Sequence, residues 1–342
     1  MVKINLALQG GGAHGAFTWG VLDRLLEEDG IEIAAISGTS AGALNGAALK
    51  SGLRKGGRDG ARENLDWLWE KLGASDVVTP DWMHPWLPNP GSVSKAVETS
   101  LPYVWSETMG RMMSPYAWGP AYRNPLERIV DAFDFDTICG DQGPRFYVGA
   151  TQVRNGKIRV FTGDKINTQA ILASACLPTL FQAVEVKDPE TGVTEAFWDG
   201  GYTGNPPLFP FFDKELPNDV VVVNINPLHR EAIPKTPPEI QNRINEISFN
   251  SSLLRELRAI EFVQRLLEQG ALQSGSMKAM RVHMIADDDL MNDLSVATKS
   301  IPIPSVLTQL KDAGRRACGG FLEQHKGDLG KRQTADLREM FG

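Results

Sequence analysis

Cysteine is scarce. Cys139, Cys176 and Cys318 are the only three, they lie far apart, and no CxxC pair occurs. That spacing argues against a disulfide framework and against a zinc site, and it fits a reducing compartment. No basic run stands out, and the net charge is −7 with a pI near 5.4. Nucleic acid is therefore not an expected partner. No apolar stretch approaches the ~20 residues of a membrane-spanning helix. The opening Met-Val-Lys-Ile-Asn-Leu-Ala-Leu is too short for a signal sequence and runs straight into a glycine loop, so it is expected to be part of the fold. Internal repeats and low-complexity segments are also lacking. What remains is the composition of an ordinary folded chain, 42% hydrophobic and 23% charged over 342 residues. That length suits one large domain or two small ones, and the expected class is a cytoplasmic enzyme.

The chemistry centres on residues 38 to 42, Gly-Thr-Ser-Ala-Gly, a GxSxG pattern with Ser40 in the middle. An apolar run, Ile33 to Ile36, precedes it, and an alanine-rich segment, Ala41 to Leu49, follows. The context reads as strand, sharp turn, helix. Such a turn holds the serine oxygen clear of its neighbours, and flanking glycines tolerate the backbone angles and close packing this needs. The helix that follows points its free N–H groups and positive dipole end at the same oxygen. The plainer alternative is a tight turn in which Ser40 only caps the helix.

Upstream, Lys3 to Leu8 reads as a buried first strand, and Ala16 to Glu28 as a helix. Between them lies Gln-Gly-Gly-Gly-Ala-His-Gly, residues 9 to 15. Residues 10 to 15 fit the dinucleotide-binding fingerprint G-x-G-x-x-G. That reading needs an acidic residue at the end of the second strand, and this strand ends Ile36-Ser37-Gly38. The loop suits anion binding better, because consecutive glycine N–H groups at a helix start can converge on one developing negative oxygen. Alternation of strands and helices predicts an α/β fold with a central, mostly parallel sheet and helices on both faces.

Further on, Arg58 to Lys71 reads as a charged helix with Leu65, Leu68 and Trp69 inward. Residues 80 to 122 change character, with seven prolines and with Trp82, Trp86, Trp105 and Trp118 among them. This stretch reads as an insertion. Either its aromatic residues pack against the domain, or part of it, Trp82 and Trp86 included, forms an apolar wall or cap beside the site. Asn124 to Phe133 is expected to be helical. Asn155-Gly156 predicts a hairpin between Arg145–Thr151 and Lys157–Phe161. Thr168 to Ala175 reads as a helix, and Val184–Val186 and Glu195–Trp198 as strands flanking a turn. Asp219 to Asn226 is a buried strand. After a linker at 234–238 come helices over 240–269, 305–323 and 335–340, and a strand over 281–285. The expected organisation is a catalytic core over 3–226, with a C-terminal part over 227–342 packed on the same domain.

A serine nucleophile needs a base. The usual order of serine, acid and histidine in α/β-hydrolases would nominate His229 or His283, though neither sits in a motif. Asp199 is favoured instead. It ends the short strand through Phe197-Trp198 at the sheet rim, and the glycines that follow allow close approach. A plain Asp-Gly turn is the alternative.

Four segments taken together resemble the patatin-like phospholipase family: Gly-Gly-Gly-Ala-His-Gly at 10–15, Gly-Thr-Ser-Ala-Gly at 38–42, Ala-Ser-Ala-Cys-Leu-Pro at 173–178 and Asp-Gly-Gly at 199–201. They occur in the family's order. The resemblance implies a patatin-like fold and a Ser–Asp dyad without a catalytic histidine. Ser40 would be the nucleophile, Asp199 the base, and the N–H groups of Gly10, Gly11 and Gly12 the oxyanion hole. It further implies hydrolysis of a lipid or lipid-like ester, no metal or organic cofactor, and room for peripheral contact with a membrane. The chain departs from the family at His14, where Arg or Lys is usual. A non-catalytic lipid- or partner-binding protein on the same fold is the alternative, and intact Ser40 and Asp199 argue against it.

Overall fold

A computed structural model describes residues 1–73, 89–100, 105, 113–188, 192–273 and 275–341. Its centre is one eight-stranded sheet. The strands are β1 (Val2–Leu8), β2 (Ile31–Gly38), β3 (Arg145–Gln152), β4 (Ile158–Thr162), β5 (Val184–Lys187), β6 (Thr194–Asp199), β7 (Asp219–Val223) and β8 (Arg281–Ile285). Their order is β5-β6-β3-β2-β1-β7-β8, with β4 paired to β3 outside that path. The pairs among β3, β2, β1, β7 and β8 are parallel, and those joining β4, β5 and β6 are antiparallel.

Strand alternation sorts the core into two layers. Leu6, Leu8, Val221 and Val223 face one layer, while Ala7, Val220, Val222 and Val282 face the other. Helices α1 (Ala16–Leu25), α2 (Ala41–Lys71), α3 (Thr168–Ser174) and α6 (Pro304–His325) supply the first layer. Helices α4 (Pro237–Glu268) and α7 (Leu337–Phe341) cover the second. The fold is thus α/β with helices on both faces, as the alternating pattern predicts. The C-terminal part contributes β8 to the sheet edge and places α6 on one face and α4 on the other. Among the described residues, no helix is long and apolar enough to cross a membrane.

The segments at 41–49 and 58–71 are separate helices, as expected: the span Ala41–Lys71 breaks where Gly56 and Gly57 leave helical angles, and its two arms pack on each other, with Asn64 Nδ2 donating to Ala48 O at 2.7 Å and Trp69 Nε1 to Asn45 Oδ1 at 3.0 Å. Two local expectations need correction. The run 124–133 is α-helical only over Glu127–Val130. Beyond it the backbone tightens to three-residue turns, with Ala132 N–H donating to Ile129 O and Phe133 N–H to Val130 O. The stretch at 234–238 is a linker only in part, because α4 begins at Pro237, behind a capping box of Thr236 and Glu239.

The insertion is described over 89–100, at 105 and over 113–122. Its helix Pro90–Glu98 meets the C-terminal part through Ser94, whose Oγ donates to Ser295 Oγ at 2.8 Å. Trp105 and Tyr116 are exposed. Trp82 and Trp86 lie outside the described residues.

Candidate active site

The register of β3 brings two distant segments together. β4 covers one edge of β3 over Tyr147–Thr151, so β2 and β6 must share the other edge. β2 occupies that edge up to Val148, opposite Gly38, and β6 takes over at Ala150, opposite Asp199. The chain leaves β2 through Thr39 and Ser40 where β6 delivers Asp199. A separation of 159 residues in sequence thereby closes to neighbouring positions on one strand.

Ser40 is the only described non-glycine residue with positive φ, at φ 55° and ψ −123°. Such angles cost about 1–3 kcal/mol and persist only where surroundings enforce them. Here the enforcement is visible. Ser40 N–H donates to Ser174 Oγ at 2.9 Å, and Ser174 in turn donates to Gly149 O at 2.7 Å. Thr39 Oγ1 donates to Gly204 O at 2.7 Å. α2 starts at Ala41 and crosses β1 so closely that a Cβ on Gly42 would lie 2.1 Å from Leu8 O. Ser40 is the N-cap of α2 and so stands at the positive end of that helix.

Asp199 is 1% exposed. Its N–H donates to Cys176 O at 2.7 Å, and its carbonyl accepts Thr151 Oγ1 at 2.8 Å. Its Oδ1 accepts Gly201 N–H at 2.8 Å. Burial pushes the carboxyl up to about 7, against the Gly201 N–H and the Ser40 hydroxyl, which pull it down. Oδ2 meets no donor at hydrogen-bonding geometry, so Ser40 is close enough to influence the carboxyl without closing a bond. Such looseness is ordinary in a site without substrate. The neighbouring Cys176 thiol and Tyr202 phenol are each pushed up to about 12, first by burial and then by the charge of Asp199. A carboxyl near 7 can accept a proton at neutral pH and return it.

The glycine loop lies against the same turn. A Cβ on Gly10 would come within 2.7 Å of Ser40 Cβ. One expectation fails here. Gly10 N–H is already donated to Asn205 Oδ1 at 2.7 Å, so it is not free to hold an oxyanion. Among the described residues, the Gly11 and Gly12 N–H groups meet no acceptor. Gly12 has φ +58°, and a Cβ there would lie 2.3 Å from Lys299 O, so only glycine fits. His14 is 1% exposed, with Nε2 2.9 Å from Thr298 Oγ1. Burial first, and then Lys299 and Arg230, hold its pKa well below the usual histidine value, so it is neutral.

Neither histidine nominated for a triad, His229 or His283, reaches this turn. His229 is exposed. His283 lies on β8 with Nε2 3.0 Å from Asp219 Oδ1 and Nδ1 3.1 Å from Thr334 Oγ1. A cavity of about 570 Å³ opens at the opposite, N-terminal end of the strands, between Lys3, Glu32, Arg58 and Arg145, and contains no residue of the four motifs. Among the described residues, no three His, Cys, Asp or Glu side chains gather closely enough to hold a metal.

Sequence reasoning misses the residues behind the loop. Asn226 Nδ2 donates to Gly10 O at 2.8 Å and to Gln9 Oε1 at 3.1 Å. Gln9 Nε2 donates to Asn250 Oδ1 at 3.2 Å, and Asn250 returns a bond to Pro227 O at 3.0 Å. This buried amide network joins β1, the end of β7 and α4. Only its polarity inside an otherwise apolar strand end, Asn224 to Asn226, signals it in the sequence.

Comparison with known proteins bears on the family. Curated proteins give no match in sequence. Solved structures that are similar include two bacterial ones. VipD from Legionella pneumophila shares 14% identity at a TM-score of 0.41, over 95% of this chain and 67% of that one. The heterodimeric ExoU–SpcU complex of the type III secretion system of Pseudomonas aeruginosa shares 17% at a TM-score of 0.29, over 99% and 65%. This chain thus spans about two thirds of either. A family model described as patatin-like phospholipase matches residues 6–212. That match takes in more than half of the chain and all four motifs, and the chain belongs to the patatin-like phospholipase family.

Proposed function

We propose that this protein is a serine-dependent carboxylic-ester hydrolase acting on lipid acyl esters, of phospholipase A type or related, through a Ser40–Asp199 dyad. The observation that carries the reading is a strained serine turn facing a buried carboxyl poised near 7. Asp199 takes the Ser40 Oγ proton as Oγ attacks the ester carbonyl. The carbonyl oxygen becomes an oxyanion held by Gly11 and Gly12 N–H. The tetrahedral intermediate collapses, and the leaving alcohol departs with the proton from Asp199. Water then gives a proton to Asp199 and attacks the acyl-enzyme. The second collapse releases the fatty acid and returns the proton to Ser40.

A cytoplasmic protein with peripheral membrane contact fits this substrate. On α4, Ile240, Ile244 and Ile247 are all exposed and recur at the spacing of one helix face, and Ile233 is exposed just before the helix. The same helix reaches the site through Phe249, whose ring lies 5.2 Å from that of Tyr202. An exposed apolar row on a helix that packs against the site through its other face suits a lipid surface.

The test is hydrolysis profiling of purified protein on phospholipid vesicles and on a short soluble ester, beside Ser40→Ala and Asp199→Asn. Both variants are expected to lose at least a thousandfold on both substrates. Zero turnover by wild type with lipid binding intact would replace the reading with a binding protein.

A further inference from the structure

The C-terminal part, beyond residues 6–212, brings a cation to the back of the glycine loop. Lys299 sits on helix α5 (Val296–Ser300), with only 15% of its side chain exposed. Its backbone carbonyl touches Gly12. Its Nζ donates to Asn226 Oδ1 at 3.3 Å. The other end of the same amide, Asn226 Nδ2, donates to Gly10 O at 2.8 Å. Gly10 C=O and Gly11 N–H belong to one peptide unit.

We propose that Lys299 is a positioning residue of the oxyanion site, polarising the Gly11 N–H through the Asn226 amide and the Gly10–Gly11 peptide. Hydrogen bonds in such a chain strengthen one another. The ammonium draws electron density from the Asn226 oxygen, which makes the Asn226 N–H a better donor. That donor draws density from Gly10 O, which makes Gly11 N–H a better donor in turn. Gly11 is thereby singled out as the stronger oxyanion donor. The Gly12 N–H has no comparable support, because among the described residues Gly11 O accepts only His14 N–H at 3.3 Å.

The cation is held deliberately. Glu246 lies 3.8 Å from Lys299 Nζ and also binds Arg230 through both oxygens, at 2.8 and 2.7 Å, and Arg243 at 3.3 Å. Burial pulls the Lys299 ammonium down to about 8, with Glu246 opposing and Arg230 reinforcing, so it stays largely charged at neutral pH. His14 cannot stand in for it, since it is neutral and its Nδ1 meets no partner.

This inference rests on the hydrolase reading, and its test separates the two. Turnover of a short soluble ester is measured for wild type, Lys299→Met and Lys299→Arg, with amide hydrogen exchange over residues 10–14. Lys299→Met should lower kcat by about 10- to 100-fold, short of the ~10²–10³ that loss of a direct oxyanion donor costs. KM should stay within twofold, exchange over the loop should quicken, and Lys299→Arg should recover most of the rate. Glu246 keeps Arg230 and Arg243, so the variants should remain folded. In an Asn226→Ala background Lys299→Met should cost little more, since the relay is already cut. An active wild type with Lys299→Met within twofold of it overturns this inference alone. So does a loss that follows the fall in folded fraction, or one undiminished in Asn226→Ala. A wild type that turns over no ester overturns the hydrolase reading and this inference with it.

Discussion

Replacing the proposed base should stabilise the protein while disabling it. Burial raises the Asp199 carboxyl from 3.8 to about 7 in the folded chain. Below pH 4 the group is protonated in both states and costs nothing. Between pH 4 and 7 the unfolded chain releases this proton and the folded chain keeps it, so stability falls as pH rises. Above pH 7 both states are ionised and the deficit levels off. A shift of about three units sets its ceiling near 4 kcal/mol, at ~1.4 kcal/mol per unit. Asp199→Asn stays neutral at every pH, and its remaining oxygen can still accept the Gly201 N–H. Relaxation and water entry reduce the effect, and a gain of about 1–3 kcal/mol is expected at pH 8, or several degrees in Tm. The assay is thermal unfolding of wild type and Asp199→Asn from pH 4 to pH 8. The difference in Tm should be near zero at pH 4, grow to about pH 7, and then stay flat. Wild-type kcat/KM on a soluble ester should rise over the same interval, because the free base must be ionised. A pH-independent difference in Tm, or a less stable Asp199→Asn at pH 8, would refute the perturbed carboxyl and with it the argument for the base.

Three further outcomes are expected. Ser40→Gly should be more stable than Ser40→Ala by ~1 kcal/mol in denaturant unfolding, because glycine relieves the positive φ and alanine does not. Gly12→Ala should abolish activity and lower Tm, since its Cβ would meet Lys299 O at 2.3 Å, whereas Gly56→Ala, with nothing within 4 Å, should leave activity unchanged. His229→Ala should alter neither turnover nor Tm, while His283→Ala should lower Tm through lost bonds to Asp219 and Thr334 yet keep the kcat of the folded fraction.

What the sequence discloses here is local, and what it hides is long-range. Val2–Leu8, Arg145–Gln152 and Arg281–Ile285 are visible as strands because their apolar residues have no helical period. The Asn155-Gly156 turn is visible because Gly156 takes φ +67°. The proximity of Ser40 and Asp199 is anticipated from where each sits on a strand end, and the register of β3 supplies it. The occupied Gly10 N–H is not visible, because its acceptor, Asn205, lies 195 residues away in an unremarked loop. Lys299 and Glu246 are hidden for the same reason. A lysine in a short polar helix looks like a solvated surface charge until tertiary packing buries it against the loop. The break at Gly56-Gly57 inside α2, by contrast, is legible, since two adjacent glycines between helical runs suit a helix stop.

The most direct test of the account is covalent capture at the nucleophile. Wild type, Ser40→Ala and Asp199→Asn are treated with a fluorophosphonate, and the adduct is mapped by peptide mass spectrometry. The account predicts rapid stoichiometric labelling of Ser40 in wild type, slow labelling in Asp199→Asn and none in Ser40→Ala. Labelling at another serine, or ester hydrolysis by Ser40→Ala within tenfold of wild type, would contradict it.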